Sequence, residues 1–279
     1  MRSSWKECLS RPSSVARLTG FCVDSEVEPI ERQSPIDSFH ASLRELLSIA
    51  TPNFLASHPI LGPHFLGGVV AATEEYLRSL LGEILAICPT SQAHAAGKQI
   101  HLGAALWHGR DIFSRGAFEG MAFTGERNVV DTITNFLDYS IKKTDRVWDV
   151  LKEFEKVCQI RHGVVHSGCT MPGKNAVILG LSPMNGIPRL KVGFAELQEC
   201  ADVCTSLAVS LNLDLFNLIA KRWASTWRDF PSWNEMSEHK HFKRVWRIFY
   251  SGFDANGALI NSPLSMMRCK NAILKECCP

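Results

Sequence analysis

No stretch of the 279-residue chain approaches the ~18 consecutive apolar residues of a membrane span. Its most apolar run, near Ile60 to Val70, is broken by Pro63, His64 and the Gly67-Gly68 pair, so no membrane association is expected. The formal net charge is only +2, too small to mark the whole chain as a polyanion binder, which shows itself in strong or strongly localised positive charge. Among ten cysteines no two are spaced as CxxC. No secretory signal precedes them, and the chain is long for a disulfide scaffold, so reduced thiols in a cytoplasmic protein are expected. Internal repeats are lacking as well. What remains is 46% hydrophobic residues, enough to build a sizeable core and to exclude disorder of the whole chain.

Periodicity then points to helices. Residues 1–34 carry Pro12, Gly20 and Pro29 among scattered charges, and the first twenty are Arg- and Ser-rich in the manner of an organelle transit peptide. We read them as an N-terminal arm. Ser34-Pro35 opens an amphipathic helix ended by Pro52. A long helix is expected from Phe65 to Ile87, with Val69, Val70, Leu77, Leu80, Leu81 and Ile84 on one broad face. A third is expected between Ala95 and Phe113, where His94, His101 and His108 recur every seven residues, better read as core or surface histidines than as a metal site. Gly109 to Gly125 reads as a long loop of the functional kind. Further helices are predicted over Asn128 to Tyr139, Arg146 to Val165 and Phe194 to Ala224, with a loop or small hairpin between the last two. The expected architecture is all-α: a helical bundle over 35–220 and a small basic, aromatic-rich subdomain over 221–279.

The chemistry-bearing residues lie within EKVCQIRHGVVHSG. Arg161 is followed directly by His162, and His166 closes the predicted helix just before Ser167-Gly168. RNA cleaves itself when its 2′-hydroxyl attacks the adjacent phosphate. That reaction needs a base near neutral pKa, an acid for the leaving oxygen and a cation for the developing charge, and histidine and arginine are those groups. On a straight helix residues five apart point about 140° away from each other. Arg161 and His166 therefore converge only if the helix ends or distorts between them.

This segment resembles the Arg-polar-x3-His motif of the HEPN family of ribonucleases, with His162 at the polar position. Upstream, VVAATEEYLRSLL is similar to an earlier helix of that family, matched here by Glu74, Tyr76, Leu77 and Arg78. The likeness is greatest to the RiboL-PSP-HEPN subgroup and covers roughly residues 36–220. In active members the residue after the arginine is most often Asn or Asp, where this chain has His162. The resemblance implies a HEPN-like bundle and a metal-independent endoribonuclease without cofactor. In it His166 would be general base or acid, Arg161 would stabilise the phosphorane, His162 would assist and Glu74 would orient Arg161. It further implies a homodimer with both motifs in one cleft, and a toxin or antiviral-defence role with a neutralising antitoxin or defence partner.

Three other readings of the same residues stand beside it. One is a zinc site from Cys158, His162 and His166, spaced i, i+4, i+8, with Cys169 just beyond. Another is a HEPN-like module without catalysis, binding RNA or nucleotides or serving dimeric assembly. The third is an unrelated helical protein whose Arg161 and His166 sit at a helix C-terminus, where cations are favoured.

Charge distribution supplies a second candidate surface. Residues 221–279 hold ten Lys or Arg against five Asp or Glu, while residues 1–220 hold twenty against twenty-three. Nine aromatic residues lie between Trp223 and Phe253. Lys240, Lys243, Arg244 and Arg247 follow i, i+3, i+4, i+7 spacing and share one helix face, which we expect to contact RNA backbone. The alternative is a helix pair closing the core, with aromatics inside and cations outside.

Overall fold

The computed structural model of the protein describes residues 33–107, 113–182, 186, 188–231, 233 and 237–277. Most of the expected arm, 1–34, and His108 lie outside the described residues. Two helix starts follow the same local rule. Ser34 accepts from the Asp37 N–H ahead of α1 (Pro35–Ile49), and Thr51 accepts from the Phe54 N–H ahead of α2 (Pro52–Ser57), each with proline at the first helical position. The chain continues through α3 (Gly62–Ile87), α4 (Pro89–Ala95), α5 (Leu102–Trp107), α6 (Phe113–Gly116), α7 (Glu126–Leu137), α8 (Arg146–His166) and α9 (Gly173–Ile178). It closes with α10 (Phe194–Ala224), α11 (Glu238–Phe249), α12 (Gly252–Asn256) and α13 (Met266–Cys277). The described residues contain no strand, only one antiparallel bridge between Thr170 and Arg189. The fold is all-α.

Three long helices make the centre. α3 and α10 run parallel: Gly62 lies against the Val192 carbonyl at their starts, and further along Tyr76 donates its hydroxyl to the Ala208 carbonyl at 2.8 Å. A Cβ at position 62 would stand 1.8 Å from the Val192 oxygen, so only glycine permits this approach. α8 packs on both and runs antiparallel to α10, because Asp145 neighbours Asp214 while Cys158 neighbours Cys204. Leu77, Leu80, Leu151, Phe154, Leu207, Leu211 and Trp223 are fully buried among them, each contributing about 1.5–3 kcal/mol relative to exposure. α10 is long and apolar enough to cross a membrane by length and composition. Its buried face, from Leu197 through Leu207, Leu211 and Leu215 to Trp223, lies in the middle of this core.

Several expectations change. Of the helix predicted between Ala95 and Phe113, residues 96–101, which include Gly97, are not helical and only Leu102–Trp107 forms α5; α4 ends where the prediction began and the single turn of α6 starts where it ended. Where a loop or hairpin is predicted after Gly168, only the Thr170–Arg189 bridge pairs, and residues 173–178 form α9. The boundary drawn at residue 220 falls inside α10, and Phe242, Val245, Ile248 and Phe249 of α11 join the same core as α3 and α10.

Candidate functional site at the end of the eighth helix

The second half of α8 begins with polar groups that are all partnered. α7 starts at Gly125 without a side-chain cap of its own, and Glu155 supplies one from α8, accepting the Glu126 N–H at 2.8 Å. The Gln159 amide donates to Glu155, and its oxygen accepts from Asn175 of α9 at 2.5 Å. Asn175 is buried. This relay ties α8 to α7 on one side and to α9 on the other.

One turn later the partners stop. Arg161 is half-buried, and no carboxylate or carbonyl pairs with it among the described residues. It continues the inward stripe of Val147, Leu151, Phe154 and Cys158 at helical spacing, at the place where that stripe runs out: Val165, four residues on, is 51% exposed. His162 and His166 are exposed and stand one turn apart with ring centroids 4.8 Å from each other. The helix runs unbroken through His166 and ends at Ser167. Arg161 and His166 therefore keep their ~140° separation, and within one chain the two histidines pair while the arginine lies on the neighbouring face.

The turn after the helix is held against it. Ser167 and Cys169 both donate to the Gly163 carbonyl. At Gly163 a Cβ would meet the Thr170 oxygen at 2.8 Å and the Leu190 side chain at 2.7 Å. Through the Thr170 bridge this turn carries Arg189, which is exposed, with Lys191 two residues on and Lys174 on α9, both also exposed. These three cations lie on segments that pack against the end of α8, and were not anticipated. The sequence signal for Arg189 and Lys191 was the PRLKV run, which lies within the loop or small hairpin expected there.

Glu74 has other partners than the one expected. Its carboxylate accepts the Phe123 N–H at 3.2 Å and lies 3.4 Å from Arg78, which donates to the Met121 carbonyl and stands over the Phe123 ring. No contact joins it to Arg161. Glu74 fixes the end of the Gly109–Gly125 segment, whose residues 120–122 line an open polar cleft of about 440 Å³ with Lys98, Gln99, Asn128, Asp131 and Asn135.

The zinc reading finds no support in this geometry. Cys158 is buried beside Cys204, and burial pushes its thiol far above the usual range, away from the thiolate a metal needs. Among the described residues no three His, Cys, Asp or Glu side chains stand close enough to hold a metal.

The second candidate surface is on α11. Phe242, Val245, Ile248 and Phe249 face the core, while Lys240, Lys243, Arg244 and Arg247 are all exposed and have no ion-pair or hydrogen-bond partner among the described residues. Glu238, the acid at the start of the helix, is engaged by Lys270 at 2.7 Å and Arg228 at 2.9 Å, which hold its carboxyl below the usual range. The expected helix face thus exists as a cationic ridge. Compared with family models, with curated proteins and with solved structures, the chain has no match.

Proposed function

We propose that this chain is a metal-independent endoribonuclease acting by 2′-hydroxyl attack. The observation that carries the reading is the exposed His162–His166 pair at 4.8 Å on a helix whose half-buried Arg161 has no carboxylate partner among the described residues. A histidine removes the 2′-hydroxyl proton, the 2′-oxygen bonds to phosphorus, and the bond to the 5′-oxygen breaks as a second histidine protonates it. The products are a 2′,3′-cyclic phosphate and a 5′-hydroxyl. Arg161 holds the charge that develops on the phosphoryl oxygens.

Attacking and leaving oxygens lie roughly in line on opposite sides of phosphorus. Two rings on one face of one helix serve the same side, so base and acid are best supplied by facing copies of the motif. This favours a homodimer. Val165 within the motif, and Val177, Ile178 and Leu181 in or just after α9, which packs on α8, are all exposed and offer apolar surface on which a second copy would seat. RNA backbone contacts would come from Lys240, Lys243, Arg244 and Arg247. By the family resemblance the setting would be a cytoplasmic toxin or antiviral-defence effector restrained by a neutralising partner.

The second reading, a non-catalytic module for RNA or nucleotide binding or for dimeric assembly, is favoured by the separation of Arg161 from His166 within one chain. Incubating the purified protein and its His166→Ala variant with total RNA in EDTA decides between them. Cleavage by the parent alone, leaving cyclic phosphate ends, is the expected result. Absence of cleavage, or equal cleavage by both proteins, overturns the enzyme reading.

A further inference from the structure

The cationic ridge of α11 does not end in solvent-exposed lysines and arginines alone. Tyr250, at the end of the helix, is 39% exposed and stacks on Trp246 with centroids 4.8 Å apart and planes at 22°. Among the described residues no ring or cation covers its other face. At 100° per residue, Trp246 and Tyr250 border the ridge on the side of Lys243 and Arg247. Phenolic ring and cations therefore form one continuous strip.

The cationic half of the strip is costly as it stands. Like charges at i, i+3 and i, i+4 repel one another, and desolvation of His241 together with the fields of Arg244 and Lys240 pushes that imidazole below its usual range. A polyanion would relieve this repulsion, and Glu238, the acid at the start of the helix, is already engaged by Arg228 and Lys270. An exposed aromatic face adds something a simple polyanion does not use: it accepts a flat ring. Bases in a duplex are stacked on their neighbours, whereas an unpaired base offers its face to a protein ring.

We infer that α11 is a binding strip for single-stranded RNA, with Lys243, Arg244 and Arg247 tracking phosphates and Tyr250, backed by Trp246, stacking an unpaired base. Lys240 to Arg247 spans about 10 Å of helix, and stacked strands carry a phosphate every ~3.4 Å, so the ridge matches about three phosphates. The choice of RNA rests on the proposed ribonuclease activity. The preference for an unpaired strand rests on the ring.

The test uses the full chain carrying His166→Ala, so that binding is read without cleavage. A labelled 12-nucleotide oligouridine and a 12-base-pair RNA duplex are titrated across a salt series. The single strand should bind at least tenfold more tightly than the duplex. Tyr250→Ala should lose about tenfold on the single strand, little on the duplex, and leave the salt slope unchanged. Tyr250→Phe should restore binding, which separates the ring from any folding effect. Changing Lys243, Arg244 and Arg247 together to Gln should flatten the slope by about two. Equal affinity of parent and Tyr250→Ala overturns the stacking assignment, and an unchanged slope in the triple variant overturns the strip. Loss of phosphatidylserine-vesicle binding in these variants, with RNA binding unaffected, reassigns the surface to a membrane. Binding as expected with no cleavage by the parent would remove the ribonuclease reading and leave the strip.

Discussion

His40 and His166 both sit on helices and both lie against another ring, yet their surroundings are opposite. His40 is 9% exposed, lies on Phe253 with centroids 4.5 Å apart, and has Asp254 at 3.5 Å from its Nε2, too long for a good hydrogen bond. Beside it Asp37 accepts from the Ser251 hydroxyl and from the Gly252 and Phe253 N–H groups at 2.9–3.0 Å, fastening α1 to α12 across more than two hundred residues. Among the described residues the only ring His166 meets belongs to His162, four residues back on its own helix. The first histidine is surrounded by distant parts of the chain and so is part of what holds the fold together. The second is held, among the described residues, by nothing beyond its own helix and is free to act on something else.

Exchanging each residue for alanine should separate these roles, and the largest effect is expected at His166. His166→Ala should lower RNA cleavage by about 10²–10⁴-fold, the usual contribution of a positioned acid or base. Its unfolding free energy should stay within about 0.5 kcal/mol of the parent, as for an exposed site. His40→Ala should reverse the pattern, costing about 2–3 kcal/mol in urea unfolding for a buried ring while leaving cleavage close to the parent rate. A His166→Ala protein that unfolds more easily, or a His40→Ala protein that is stable but inactive, would erase the contrast. Mixing Arg161→Ala with His166→Ala protomers should recover part of the activity if the two motifs share one cleft. A protein that is monomeric at micromolar concentration by light scattering would remove that expectation.

A smaller effect is expected where the two kinds of environment meet. Gly163 lies between His162 and Val164, and the turn carrying Thr170 rests on it. Gly163→Ala forces the Thr170 carbonyl, a backbone atom with little room to give, away from α8. A loss of about 1–3 kcal/mol in stability is expected, with cleavage falling because Arg189 and its neighbours move off the motif. Full activity together with lowered stability would leave the turn a purely structural support.

How far the sequence foretold these features depended on how much of each was local. α10 has the bounds its periodicity implies, and α8 and α3 lie within three residues of theirs, because an apolar stripe sustained over twenty residues or more leaves little alternative. α9 was not foreseen. Its six residues carry no stripe, and a stretch that short depends on a tertiary bond such as that from Asn175 to Gln159. The break between α4 and α5 was missed because the spacing of Leu102 and Leu106 was extended backward across Gly97. In the site, the placement of Arg161, His162 and His166 on one helix was readable, as was the shared face of Lys240, Lys243, Arg244 and Arg247. The partner of Glu74 was misassigned although Arg78, four residues away, stood at ordinary ion-pair spacing. Nothing in the spacing could have shown that Arg189 comes back to α8 through Thr170.

The smallest effect sharpens the comparison through pH. Burial lowers the pKa of His40 from its ordinary value of 6.5; the charges of Asp254 and Asp37 pull it upward, and Arg44 adds to the lowering. In the folded chain the imidazole is therefore kept neutral over a range in which the unfolded chain has already taken up a proton. Protons bind the unfolded state preferentially between the two values, so stability rises with pH across that interval. The contribution is fully present above about pH 6.5 and is lost as the pH falls through the folded value. One proton bounds the slope at about 1.4 kcal/mol per pH unit. Urea unfolding of the parent between pH 7.5 and 5 should show this decline, and His40→Gln, which cannot titrate, should show a flatter one. Equal slopes in parent and His40→Gln would mean that the acid sensitivity of the fold lies in groups other than this histidine, and the distinction between the two sites would then rest on burial and packing alone.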